Sequence, residues 1–197
     1  MSLAVIDLGL GNLGSVLQAL KRAGGEPVLS SDPAELAKAR RIVLPGVAAF
    51  GLGMERVARF RDALAQALGR SVPVLGICLG MQILFEEGDE DGTRKGLGFL
   101  PGRVTRLPAD VQVPHIGWQR LEPKAKSPLV DEQAPGWAYF ANSYRCEAPA
   151  EIVRAVVHHG SVSIAAVVQQ GTLFGVQHHP EKSARDGEEL LRRFLAQ

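Results

Sequence analysis

Strand-sized apolar runs alternate with helical patterns through the first eighty residues, and no other feature narrows the possible folds as much. Leu3–Ile6, Pro27–Ser30, Ile42–Leu44 and Val72–Ile77 read as strands apolar on both faces, as strands in a covered parallel sheet are. The spacing predicts a helix over Gly11–Ala23 with Val16, Leu17 and Leu20 on one face. A short helix over Pro33–Ala39 is begun by Ser31, Asp32 and Pro33. A longer one over Gly53–Leu68 carries a stripe through Met54, Val57, Ala58, Leu64 and Leu68. Pro45-Gly46 is expected to end the third strand, and Leu79–Phe85 to continue as helix. The βαβα order predicts an α/β fold with a central, mostly parallel sheet covered by helices.

The second half differs. Glu86–Gly98 is charged and Gly-rich, and reads as an exposed loop. Strand-like pieces then follow at Arg103–Leu107, Gly117–Leu121, Trp137–Arg145, Ile152–His158, Val162–Gln169 and Leu173–Gln177, split by Gly, Pro and Asp. The second half is therefore expected to be antiparallel-rich. A final helix, Ala184–Ala196, packs through Leu190, Leu191, Phe194 and Leu195. No repeat or linker divides the chain, so one domain over 1–197 is expected.

Charge and cysteine usage exclude several classes. The net charge of +1 gives no electrostatic case for nucleic acid or a membrane surface. The apolar runs are too short to span a bilayer, and Met1–Asp7 enters its apolar run without a basic leader, so the cytoplasm is expected. Only Cys78 and Cys146 are present. Without a C-x-x-C or an H-E-x-x-H, neither a disulfide framework nor a metal site is expected.

Gly76-Ile77-Cys78-Leu79-Gly80 lies where the fourth strand turns into a helix. This is the strand–elbow–helix setting of G-x-S-x-G with Cys in place of Ser. A sharp elbow leaves no room for side chains at the flanking positions, and the helix dipole beyond it favours a thiolate. A buried core cysteine is the bland alternative, but it does not account for the two glycines. Cys146, on a strand without them, is expected in the core.

A nucleophilic cysteine needs a base, and the base needs an orienter. The histidines are His115, in a loop after a proline, His158 and His159 at a strand end, and His178 and His179 closing the last strand. In an extended segment His179 and Glu181 share a face and His178 takes the other. A carboxylate there can fix the imidazole tautomer, which favours Cys78, His179 and Glu181 as a triad. The backbone N–H of Leu79 is expected to be one oxyanion donor. The loop Pro45-Gly46-Val47-Ala48 is expected to supply the other.

A rival signal is Gly9-Leu10-Gly11-Asn12-Leu13-Gly14, a formal G-x-G-x-x-G between the first strand and helix. Asp32 stands where a dinucleotide fold would want a ribose-binding acid. A nucleotide-binding module therefore stays open as a reading, as does a cysteine hydrolase acting on some other substrate.

The elbow cysteine and the downstream His-x-Glu resemble the class I, triad-type glutamine amidotransferases. Within that family the chain is similar to the glutaminase subunits of imidazole glycerol phosphate synthases. The likeness runs from Asp7-Leu8-Gly9-Leu10-Gly11-Asn12-Leu13 and Leu44-Pro45-Gly46-Val47 through the elbow to Gln82. It continues in Pro114-His115-Ile116-Gly117-Trp118, Tyr139-Phe140 and Ser143-Tyr144, and ends in Gly175-Val176-Gln177 and His179-Pro180-Glu181-Lys182-Ser183.

The resemblance implies a single-domain, class I amidotransferase-like sandwich without a cofactor, in which Cys78 attacks the side-chain amide of glutamine. Gln82, Glu90 and the backbones of Ser143 and Tyr144 would hold the amino-acid end. Ammonia would pass to a (β/α)₈-barrel cyclase subunit in a heterodimer, which makes imidazole glycerol phosphate and aminoimidazole carboxamide ribotide for histidine biosynthesis. Asn12, Trp118, Tyr139 and Lys182 would lie at or near that subunit. The chain departs from the family's habit at Ala48 (usually Gly), Asn142 (often His), His178 (usually aromatic) and Gln119 (often Asn). Ala at positive φ costs roughly 1–2 kcal/mol more than Gly, which bears on any turning of the Ala48 peptide.

Overall fold

The apolar runs of the first half become parallel strands. Leu3–Ile6, Arg41–Gly46 and Val74–Cys78 are covered by helices on both faces, while the edge strand over Pro27–Ser30 leaves Val28 and Leu29 exposed at 43% and 42%. The computed structural model describes residues 3–197, so what the sequence suggested for Met1 and Ser2 lies outside the described residues. In chain order the first elements are β1 (Leu3–Ile6), α1 (Leu13–Arg22), β2 (Pro27–Ser30), β3 (Arg41–Gly46), α2 (Phe50–Val57), α3 (Arg61–Gly69), β4 (Val74–Cys78) and α4 (Leu79–Gln82). Then come β5 (Phe85–Gly88), β6 (Arg94–Lys95), β7 (Leu100–Arg106), β8 (His115–Arg120), β9 (Glu122–Pro123), β10 (Trp137–Asn142) and β11 (Tyr144–Glu147). The chain closes with β12 (Val153–His159), β13 (Val162–Gln170), β14 (Leu173–Val176) and α5 (Ala184–Leu195).

The main sheet has eight strands in the order β2-β1-β3-β4-β14-β13-β12-β9. Pairing is parallel from β2 to β14 and antiparallel from β14 to β9. Alternate residues feed two cores, as a period of two requires. Val5, Val43, Leu75 and Phe174 face α1 and α5 with Leu20, Leu190 and Phe194. Ala4, Ile42, Leu44 and Val74 face the other way, toward Phe50, Phe60, Leu64 and Ile83. Each large side chain fully buried this way contributes about 1.5–3 kcal/mol. At one end of the sheet Gly46 pairs with Cys78 and Ile77 with Val176, which brings the tips of β3, β4 and β14 together.

Several local expectations need correction. The helix expected over Gly53–Leu68 starts at Phe50 and is split by a 3₁₀ turn at Ala58–Phe60. Its buried stripe is Phe50, Gly53, Val57, Phe60, Leu64 and Ala67. Phe60, fully buried, sets that phase and leaves Ala58 exposed. Pro33–Lys38 is a 3₁₀ turn rather than an α-helix. β3 does not stop before Pro45-Gly46: it keeps pairing with β4 through both, beyond the point where β1 has ended.

The helix expected over Leu79–Phe85 is only four residues long, and Phe85 opens a strand instead. Glu86–Gly98 is not a plain loop. β5 and β6 pair there as a hairpin, joined to β7 and β11 in a four-stranded sheet, and Leu97 is buried beneath it. Trp137–Arg145 breaks at Ser143 into β10 and β11, which belong to different sheets. His115 is not a loop residue but the buried first residue of β8. Among the described residues, no helix is long and apolar enough to cross a membrane.

Candidate active site

Cys78 ends β4 at φ 54°, ψ −111°, the left-handed side of the backbone map that side chains avoid. The glycines make that turn possible. A Cβ on Gly80 would lie 1.7 Å from the Leu44 carbonyl oxygen, and one on Gly76 would lie 2.6 Å from the Gly80 carbonyl oxygen. The turn costs on the order of 1–3 kcal/mol, and strain of that kind gathers at functional sites. The cysteine itself is 7 % exposed.

His179 follows β14 by three residues and is buried beside the elbow. Its Nδ1 lies 2.8 Å from Glu181 Oε1, and both side chains are nearly inaccessible. Their spacing suggests an extended segment for this pair. The chain instead turns at once into a 3₁₀ turn, Pro180–Lys182, and it is that turn which swings Glu181 back onto the imidazole. Burial pulls the His179 pKa down, but the Cys78 sulfur and the Glu181 carboxylate on either side outweigh it and push the value up to about 10.

Its neighbour behaves oppositely. His178 points into the core, 5.6 Å from the Phe140 ring, with Nδ1 unpartnered. Burial and the adjacent His179 charge push its pKa down to about 3, which suits a core residue and not a proton carrier at neutral pH. Cys146 is likewise core, its thiol pushed well up by burial and by Cys78.

Backbone bonds fix His179 in place. The His179 N–H donates to the Tyr139 carbonyl at 2.9 Å. Ser183 Oγ donates to the His179 carbonyl at 2.6 Å and accepts from the Tyr139 N–H at 2.9 Å. Sequence reasoning missed this link through Ser183, because its hydroxyl has partners only once β10 lies beside it. Gln177 was missed for the same reason. Its Nε2 lies 3.8 Å from Cys78 Sγ, and its Oε1 accepts from Gln82 Nε2 at 3.1 Å.

A cleft of about 550 Å³ opens at the sulfur, lined by Val47, Ala48, Cys78, Leu79, Gln82, Glu90, Ser143 and Tyr144 among others. The expected nucleophile and substrate residues thus line it together with Val47 and Leu79, while Gly46, also expected at the oxyanion, does not. Glu90 also accepts from the Phe50 N–H at 2.6 Å, which caps α2. A second recess on the other side of the Pro45–Val47 segment brings Asn12, Gly46, Val47, His179, Glu181 and Lys182 together. Trp118 and Tyr139 lie in neither. They meet edge-on, ring centroids 5.9 Å apart, on the β8–β10 ribbon.

The G-x-G-x-x-G look-alike is used differently from a dinucleotide loop. Asn12 caps α1 by accepting from the Ser15 N–H, and a Cβ on Gly11 would sit 3.1 Å from Val47. Asp32 is occupied in capping the turn after β2, where it accepts from the Ala34 N–H. Gly11 therefore lets the loop close onto Val47 of the Pro45–Val47 segment.

Comparison with known proteins gives a consistent result. The family model for glutamine amidotransferase class-I matches residues 4–197. The imidazole glycerol phosphate synthase subunit HisH of Symbiobacterium thermophilum is 47% identical over 193 residues, covering 96% of this chain and 91% of that one. The HisH subunit of Geobacillus thermodenitrificans is 42% identical, covering 98% and 94%. A crystal structure of a glutamine amidotransferase superposes with a TM-score of 0.78 at 20% identity, covering 100% and 98% of the two chains. The structure of PurLQS from Thermotoga maritima gives 0.76 at 21% identity, covering 99% and 97%. At those identities the two structures speak for the fold alone. The chain belongs to the class-I glutamine amidotransferase family and, within it, to the HisH subunits of imidazole glycerol phosphate synthase.

Proposed function

We propose that this chain, acting as one amidotransferase domain over 1–197, hydrolyses glutamine to glutamate and ammonia and passes the ammonia to a cyclase subunit in histidine biosynthesis. The observation that carries the reading is the buried His179–Glu181 pair at 2.8 Å beside the elbow cysteine. Cys78 thiolate attacks the side-chain carbonyl carbon, and the developing oxyanion is met by backbone N–H groups at Leu79 and at Gly46–Val47. His179 gives its proton to the leaving nitrogen, so ammonia departs and a glutamyl thioester remains. Water then adds with His179 as base, the thiolate leaves, and glutamate is released. Gln82, Glu90, Ser143 and Tyr144 hold the amino-acid end of the substrate.

Docking of the partner is supported by one surface. Trp118 and Tyr139 are directly paired across β8 and β10, and Ile116 and Trp137 stand two residues along on the same face. Three of these four apolar side chains are half exposed or more, or close to it: Ile116 at 61%, Trp137 at 53% and Trp118 at 47%. Exposed apolar patches of this kind mark interaction sites. The partner fitting the resemblance is a (β/α)₈-barrel cyclase, with Asn12 and Lys182 beside the same edge and the heterodimer working in the cytoplasm.

The test is glutamate release from glutamine by the chain alone, then with the cyclase subunit and its nucleotide ligand. Release that is strong in the full mixture and absent with Cys78→Ala is expected. Undiminished release by Cys78→Ala would remove the cysteine from the mechanism.

A further inference from the structure

We propose that Gln177 is a positioning residue for Cys78, its side-chain N–H held on the sulfur by a relay that starts at the Tyr144 carbonyl and runs through Gln82. The inference rests on the reading of Cys78 as nucleophile and adds to it a donor that favours the thiolate.

The direction of each amide follows from its neighbours. A carbonyl oxygen only accepts, and that of Tyr144 takes Asn142 Nδ2 at 3.0 Å and Gln82 Nε2 at 3.4 Å. Gln82 must therefore present nitrogen there. The same Nε2 donates to Gln177 Oε1 at 3.1 Å, which turns the Gln177 oxygen away from the sulfur and its nitrogen, 3.8 Å off, toward it. Reversing Gln82, Gln177 or both would set like groups against each other. Gln177 is fully buried and Gln82 is 6 % exposed, so water is poorly placed to relieve that clash.

Chemistry gives the relay its consequence. A donor on the charged form of a group stabilises that form, and a buried thiolate otherwise suffers from lost solvation. Cys146 illustrates the opposing tendency, since burial raises its thiol. Gln82 acquires a defined orientation as well. With Nε2 committed to the relay, its oxygen is the atom available to a substrate N–H.

The experiment uses the full chain in complex with its cyclase subunit. It follows the rate of alkylation of Cys78 by iodoacetamide against pH, with Cys78→Ala to subtract other sites, alongside kcat and KM for glutamine. The titratable groups around the sulfur are His179 with Glu181 behind it, Glu90 and Tyr144 on the cleft wall, and Cys146 in the core; none of these is altered. Gln177→Met keeps the length and removes the donor. Its alkylation midpoint is expected to rise by about one pH unit, with kcat at neutral pH down about tenfold and KM within about twofold.

Gln177→Glu keeps the shape and puts an acceptor at the sulfur, so a larger rise is expected, and it serves if the Met variant does not fold. An unmoved midpoint in either folded variant would overturn the proposal, and so would a raised KM with unchanged kcat. Glutamine hydrolysis surviving Cys78→Ala would instead sink the nucleophile reading, while the alkylation profile would still report on the amide–sulfur contact.

Discussion

His179 owes its high proton affinity to two neighbours that oppose its burial, and Glu181 is the one that can be altered without touching the sulfur. Glu181→Gln keeps the shape and removes the charge. The imidazolium then gives up its proton at lower pH, so the alkaline limb of the kcat profile should move down. The rate at neutral pH should fall by about a hundredfold, since positioned proton transfer is worth about 10²–10⁴. A pH–rate profile of the glutaminase reaction checks both. That Cys78 would sit on a glycine-flanked elbow and His179 beside Glu181 was legible in the sequence, from a cysteine between glycines and a histidine near a carboxylate. The route by which Glu181 reaches His179 was not, because a 3₁₀ turn and an extended segment can both bring positions two apart together. Nor was Gln177, whose amide has meaning only beside Gln82, ninety-five positions away in the chain.

The elbow is an element-scale device: strand, reversed backbone and a four-residue helix, all held by close approach of backbones. A methyl group on Gly80 would collide with the Leu44 carbonyl on the neighbouring strand, where no flexible side chain can yield. Gly80→Ala should destabilise the fold by about 3 kcal/mol, the upper end of the usual cost of overpacking. Denaturant unfolding measures it. Strands β1, β2, β12 and β13 could be read from apolar runs to within two residues at either end. The α2–α3 stripe was misread by phase, since Met54 and Ala58 are apolar but Phe50 and Phe60 bury more surface and determine the rotation. The β5–β6 hairpin was missed because its charged residues resemble a loop, while what anchors it is one buried leucine, Leu97, and strand pairing with β7, which composition does not show.

At the scale of the whole molecule, the apolar ribbon β8–β10 is tied to His179 through Ser183 and the Tyr139 backbone. Two buried histidines pack against Phe140 of that ribbon: His115 stacks on its ring at 4.9 Å, and His178 meets it tilted at 5.6 Å. Burial, with the His159 charge, pushes the His115 pKa down to about 4, as burial and the His179 charge push that of His178 to about 3. Unfolding restores both toward about 6.5, so between those values the unfolded chain binds more protons and stability falls as the pH is lowered. His178→Phe should therefore lose less stability than the parent between pH 7 and pH 4.5 in urea unfolding; an equal loss would exclude His178 as a source of the acid sensitivity.

The central claim concerns a covalent step, and acid quenching of the complex during turnover with glutamine, followed by peptide mass mapping, tests it most directly. The account predicts one glutamyl group on the peptide that carries Cys78, absent from Cys78→Ala. A turning-over enzyme with no adduct on any trapping timescale, or with the adduct on Cys146, would contradict it.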